Sequence, residues 1–284
     1  MIDFTVRDFH CVESQLKLDE AYASIASRNA FETRLEGFLS SDRSLYSVFE
    51  RPAENILRVR GHLFLPPRLD NRTPLVCVFG NAAPHSVVRG VRFASERGGK
   101  LHRFWPALAR AGFLTQKDLD MFCSYDHVGQ RALLLSGRLS SVFRIGFVDY
   151  CPFPSSASDP RWSGVAGVRR LLGIGVLRAV LSAHETWLNL LVREFFGAEQ
   201  GGVIAFQSGA YDSLRISGSR SFSMAAAKRG ELITECKWHR NLLLVGVPTT
   251  RLLNSRASRS TLVQVRRYLV ERLGGISAGV TRLD

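Results

Sequence analysis

Apolar positions fall into two rhythms along this chain. Four short, mostly apolar runs, 75–79, 143–148 ("FRIGFV"), 203–206 ("VIAF") and 242–247 ("LLLVGV"), are each followed by Gly, Asp, Gln or Pro and predict buried strands. Between them the apolar spacing widens to that of a helix, over 102–112, 164–196, 208–215 and 260–273. Gly173 or Gly175 is expected to break the second of these. In the last, Ser260 is the expected cap, Leu262, Val265, Leu269 and Leu273 form the buried stripe, and Gly274-Gly275 is the stop. Strands alternating with helices predict a three-layer α/β fold with a central four-stranded, mostly parallel sheet.

The first seventy residues follow another pattern. A helix is predicted around 18–40, with Leu18, Tyr22, Ile25, Phe31, Leu35 and Phe38 at helical spacing. The strands "LYSVF" and "ILRVRGHLFL" follow, ended by Pro66-Pro67. This predicts an α+β extension over 1–70, packed on an α/β domain over 71–284.

In a parallel sheet the loops that follow the strands open on one edge, where α/β proteins bind their ligands. Four such loops are expected to converge here. The segment 80–101, rich in Gly, Arg, Ser and His, is read as irregular for about twenty residues; "DYCPFPSSASDPRWSG", "QSGAYD" and "PTTRLLNSRASR" follow the other strands. The last, with hydroxyls and arginines, suits phosphate oxygens, and Leu252-Leu253 is either a wedge for a base stack or ordinary core.

Charge narrows the partner. In 284 residues, 38 Lys and Arg stand against 25 acids, giving +13 and a pI near 10.2, which favours a polyanion. Five dispersed cysteines without a CxxC pair signal neither zinc nor an iron–sulfur cluster, and no metal or cofactor is expected. The N-terminus lacks an apolar signal region, and the richest apolar run is interrupted by Arg178 and His184. A cytoplasmic protein without a membrane partner, and a monomer, is expected. G-x-S-x-G, Walker A, Rossmann and zinc-deaminase patterns are absent from the sequence.

The order strand, "G-x-x-x-P" loop, "R-F-A", "H-R-F-W" and helix ending "A-G-F" resembles the first motif region of the uracil-DNA glycosylase superfamily, with the closest look to its mismatch-specific uracil/thymine branch. "GAYDSL" and "VPTTRLL" extend the likeness more weakly through 75–270, whereas 1–70 matches nothing. The resemblance implies a metal-free, base-flipping enzyme that hydrolyses the N-glycosidic bond of uracil in DNA, single- or double-stranded, in base excision repair. Hypoxanthine or xanthine are further implied substrates.

Carried over by residue, the resemblance makes Phe93 the base-stacking ring and Asp149 the base-reading group at a strand end. Ala83 stands where the family often has Asp or Asn, so Glu96 and Asn81 are the first candidates for positioning water, with Asp149 third. Pro84 and His85 are implied to touch the substrate. Ser86, His102, Pro248, Thr249, Thr250, Arg251 and Leu252 are implied to touch DNA. Val247 replaces the usual His or Asn of the second motif. Two alternatives stay open: a non-catalytic binder of uracil-containing or damaged DNA, and an unrelated nucleotide-binding α/β enzyme.

Overall fold

The computed structural model describes residues 1–8, 10–94, 100–256 and 258–273. Nine strands form one sheet: β1 (Ile2–Asp8), β2 (Cys11–Lys17), β3 (Phe49–Ala53), β4 (Ile56–Phe64), β5 (Thr73–Phe79), β6 (Phe143–Asp149), β7 (Gly201–Ala205), β8 (Leu232–Cys236) and β9 (His239–Gly246). Their order is β1-β2-β4-β6-β5-β7-β9-β8, with β3 paired to β4.

The expected four-stranded sheet is therefore too small. Among the described residues only β6, β5, β7 and β9 pair in parallel, through three ladders, while five pairings are antiparallel. The reason is edge protection: two apolar parallel strands left at the margins would expose their unpaired amides and carbonyls. The tail of β4 covers β6, with Leu63 opposite Val148 and Phe64 opposite Phe147. The strand β8 covers β9 on the other side. The N-terminal residues thus continue the sheet.

Side chains of the central strands alternate between two cores. Leu75, Cys77 and Phe79 face a cluster with Phe147, Ile204, Val245, Phe104, Trp105 and the Leu262/Val265/Leu269/Leu273 stripe. Val76 and Val78 face Leu188, Val192 and Phe195 on the helix Ile174–Phe196. A third cluster joins Leu16, Leu57 and Val59 to Phe31, Leu35 and Phe38 of the helix Ile25–Ser40 and to Leu171. Strands with two buried faces need continuous apolar runs, which is why these four strands read so clearly in the sequence.

Several local expectations shift. The helix 164–196 divides at Gly173, and the helix around 18–40 divides into Leu18–Ala21 and Ile25–Ser40. Ser24 caps the latter in a reciprocal capping box with Ser27. Part of "LYSVF" is the 3-10 turn Arg43–Ser47, capped by Asp42, and the strand starts only at Phe49. The supposedly irregular 80–101 holds the helix Pro84–Arg89, begun by proline and closed by Gly90 at φ +64°. Among the described residues no helix is long and apolar enough to cross a membrane.

Candidate nucleic-acid cleft

The ladder between β5 and β6 does not stop where the strands end. Tyr150 N–H donates to Phe79 O, Cys151 N–H to Gly80 O (both 2.7 Å), and Ser155 N–H to Ala82 O (3.1 Å). The loops after the two strands therefore run side by side beyond the sheet. Asn81 fastens them: its Nδ2 donates to Phe153 O at 3.0 Å and to Ser155 Oγ at 2.8 Å. Gly80 leaves room here for the side-chain amide of Gln207, the first residue after Phe206, which a Cβ would displace.

Above this edge lies a cleft of about 470 Å³, a ligand-sized volume. Three of the four expected loops line it. Asn81, Ala83, His85, Ser86, Arg92 and Phe93 come after β5, Ala157 after β6, and Thr250 and Arg251 after β9; His102 and Arg103 complete the mouth. Among the described residues the lining includes no acid, and Arg103 and Arg251 are solvent-exposed. The fourth loop contributes through Gln207 against Gly80 rather than through a lining side chain.

The cleft floor rests on Arg92, which the sequence reading did not single out. After the Gly90 turn the chain drops Val91 and Arg92 back into the interior, at 0% and 2% exposure. Arg92 Nη1 donates to Asp149 Oδ2 at 2.5 Å and Nη2 to Asp149 Oδ1 at 2.6 Å. The guanidinium lies 4.4 Å from the Phe79 ring centre and 4.9 Å from that of Phe93. Burial lifts the Asp149 carboxyl above its ordinary range, and the Arg92 charge and hydrogen bonds oppose that lift. Arg92 Nε has no hydrogen-bond partner among the described residues.

This corrects the role expected of Asp149. It is buried, it is absent from the cleft lining, and both its oxygens accept from Arg92. It holds the residue that lines the cleft. A basic residue inside "VVRGVRFA" with apolar neighbours on both sides was the signal that could have found Arg92, because an arginine buried there needs a buried partner.

Phe93 has φ +48°, in the left-handed region that costs a bulky residue about 1–2 kcal/mol. Ring packing compensates. Its ring meets Phe79 edge-on at 5.0 Å, tilts against Phe104 at 4.5 Å and stacks on His102 at 4.6 Å, with planes 19° apart. The Trp105 indole N–H donates to its carbonyl at 3.2 Å. The half-buried ring stands in the cleft wall, and His102 already covers one face of it.

The other expected positions divide. His85, Ser86, Thr250 and Arg251 line the cleft together with Asn81, Phe93 and His102. Pro84 is buried at the start of its helix, Pro248 is buried, and neither lines the cleft; nor do Thr249 and Leu252. Leu253, the other half of the expected wedge, is 1% exposed and belongs to the core, because the turn after Thr249 folds it inward. Val247 is likewise core and extends the β9 ladder to Ala205 O. Glu96 lies outside the described residues.

No family model and no curated protein matches this chain.

Proposed function

We propose that the chain is a DNA glycosylase of the uracil-DNA glycosylase type, which flips a deaminated base into the cleft and hydrolyses its N-glycosidic bond. The observation that carries this reading is the cleft itself. It opens at the carboxyl ends of β5, β6 and β9, has aromatic residues in one wall, cations at its mouth and, among the described residues, no acid in its lining. A net charge of +13 suits the phosphate backbone. The parallel strands β6, β5, β7 and β9 at the middle of the nine-stranded sheet support the reading at the level of an α/β fold with a ligand edge.

Within this reading Asn81 positions the attacking water. Its Nδ2 is committed to the neighbouring loop, which aims the amide, and its Oδ1 makes no hydrogen bond among the described residues. An acceptor fixed in that way orients water against an oxocarbenium-like sugar without itself becoming charged. His85 and His102 supply N–H donors toward the departing base, and Thr250 and Arg251 hold flanking phosphates.

A second reading, a binder of uracil-containing DNA without catalysis, draws on the apolar Ala83 and Val247 and on the engagement of Asp149 by Arg92. One assay separates the two. A single-uracil oligonucleotide incubated with the full chain yields an alkali-sensitive abasic strand if the enzyme reading holds. A retarded complex without strand scission supports the binder.

A further inference from the structure

We propose that Arg92, held by Asp149, is the specificity-determining residue of the cleft and selects bases carrying a keto oxygen over their amino counterparts; this rests on the reading that a flipped base enters the cleft. Deamination converts an exocyclic amine, a donor, into a carbonyl, an acceptor. A group that discriminates the product from its parent must therefore donate and be unable to accept. Arginine meets that condition: its guanidinium carries five N–H donors and no acceptor.

Burial, a fixed fork and a place in the cleft lining suit Arg92 to this role. Two of its donors are spent on Asp149. The Nε–H has no partner among the described residues although the side chain is 2% exposed, and the residue lines the cleft. Phe79 and Phe93 pack about the guanidinium and Asp149 clamps its fork, so it cannot turn to accommodate a different ligand. A carbonyl brought to the floor meets fixed donors. An amino group meets N–H against N–H, and both partners lose their water without gaining a bond. Asp149 is the positioning residue: it neutralises the buried cation and clamps its fork.

Uracil and hypoxanthine satisfy the floor, whereas cytosine and adenine do not. Uracil and cytosine differ at the 4-position, and hypoxanthine and adenine at the 6-position, by the same oxygen-for-amine exchange.

The test is equilibrium binding of the full chain to short single-stranded oligonucleotides, which removes any difference in base-pair opening. The strands carry uracil, cytosine, hypoxanthine or adenine at one central position. Uracil over cytosine, and hypoxanthine over adenine, should each be favoured about tenfold, the effect of one donor left unpaired. R92Q, whose amide both donates and accepts, should bring both ratios within about twofold, while R92K, still donor-only, should retain part of each. D149N should lower the ratios by freeing Arg92 to move. Equal binding of uracil and cytosine by the wild type overturns the proposal, as does a folded R92Q with its preference intact.

If the Arg92 variants fail to fold, the ligand is varied instead: an oligonucleotide carrying 2-pyrimidinone, which lacks the 4-oxygen, should bind the wild type about tenfold more weakly than uracil. Equal affinity would refute the role of Arg92. Failure of the glycosylase reading has a separate sign. Preference for keto bases with no abasic product removes catalysis and leaves base selection by Arg92 standing.

Discussion

Phe93 stacks on His102 at 4.6 Å with the two planes 19° apart, and the pair stands in the wall of the cleft. Phe93 holds this place against an unfavourable backbone, at φ +48°. A ring kept in a strained conformation beside a cleft fits a role in holding ligand. Phe93→Ala should weaken binding of uracil-containing single strands by about 1–3 kcal/mol, the worth of one aromatic stack. Fluorescence titration measures this, with thermal unfolding alongside. Unchanged affinity in a folded variant would assign the ring to packing alone.

The Arg92–Asp149 pair makes a second prediction, on stability. Removing one partner strands the other charge in the interior, so Arg92→Ala should cost about 3–5 kcal/mol in urea unfolding. The double replacement R92M/D149L, apolar and of similar volume, should recover most of that loss. A double variant as unstable as the single one would show that something other than the stranded carboxylate destabilises it.

Asn81→Ala removes the acceptor proposed to orient water, together with the staple to Phe153 and Ser155. Single-turnover excision should fall at least about tenfold. N81D restores an acceptor and should retain more activity than N81A. The reverse order would remove Asn81 from the chemistry.

Acid should destabilise the protein over a defined window. His184 is 3% exposed, packs against Phe4 and Trp187, and burial holds its pKa down to about 4, while a hydrogen bond with Tyr150 O opposes the shift. Burial and the neighbouring Arg92 charge hold His62 well below the usual histidine range too. Both remain neutral in the fold and take a proton in the unfolded chain. The contribution of His184 is complete above pH 6.5 and is lost as pH falls toward about 4, by about 1.4 kcal/mol per pH unit, and His62 adds a loss of the same sign below pH 6.5. His184→Phe should flatten urea-unfolding free energy against pH across that range. An equal slope in wild type and variant would show that His184 is not a source of it.

Arg251 is exposed at the cleft mouth, and it makes no ion pair or hydrogen bond through its side chain among the described residues. A phosphate contact by this side chain releases one counterion. Arg251→Ala should therefore reduce the slope of log affinity against log salt by about 0.9 on duplex DNA, equally for uracil-containing and normal duplexes. A variant that lost discrimination at an unchanged slope would place Arg251 in lesion reading instead.

The sequence by itself determined the parts that depend on local periodicity. The strands 143–148 and 242–247 and the stripe Leu262, Val265, Leu269, Leu273 were legible because each buried face imposes its own spacing. Convergence of the loops after β5, β6 and β9 followed from the parallel arrangement of these strands, and seven of the expected positions line one cleft as a result. Only the tertiary structure decided what meets across sequence distance. That β4 would cover β6 depends on which edge needs a partner, which no local pattern encodes. Leu252 and Leu253 are adjacent and chemically alike, yet the turn after Thr249 leaves one half-exposed and buries the other. Asp149 looked like a reader of bases until Arg92, 57 positions away, took both its oxygens. A charge is legible in a sequence, but its partner is chosen by the fold, because burying either alone costs more than any local preference can offset.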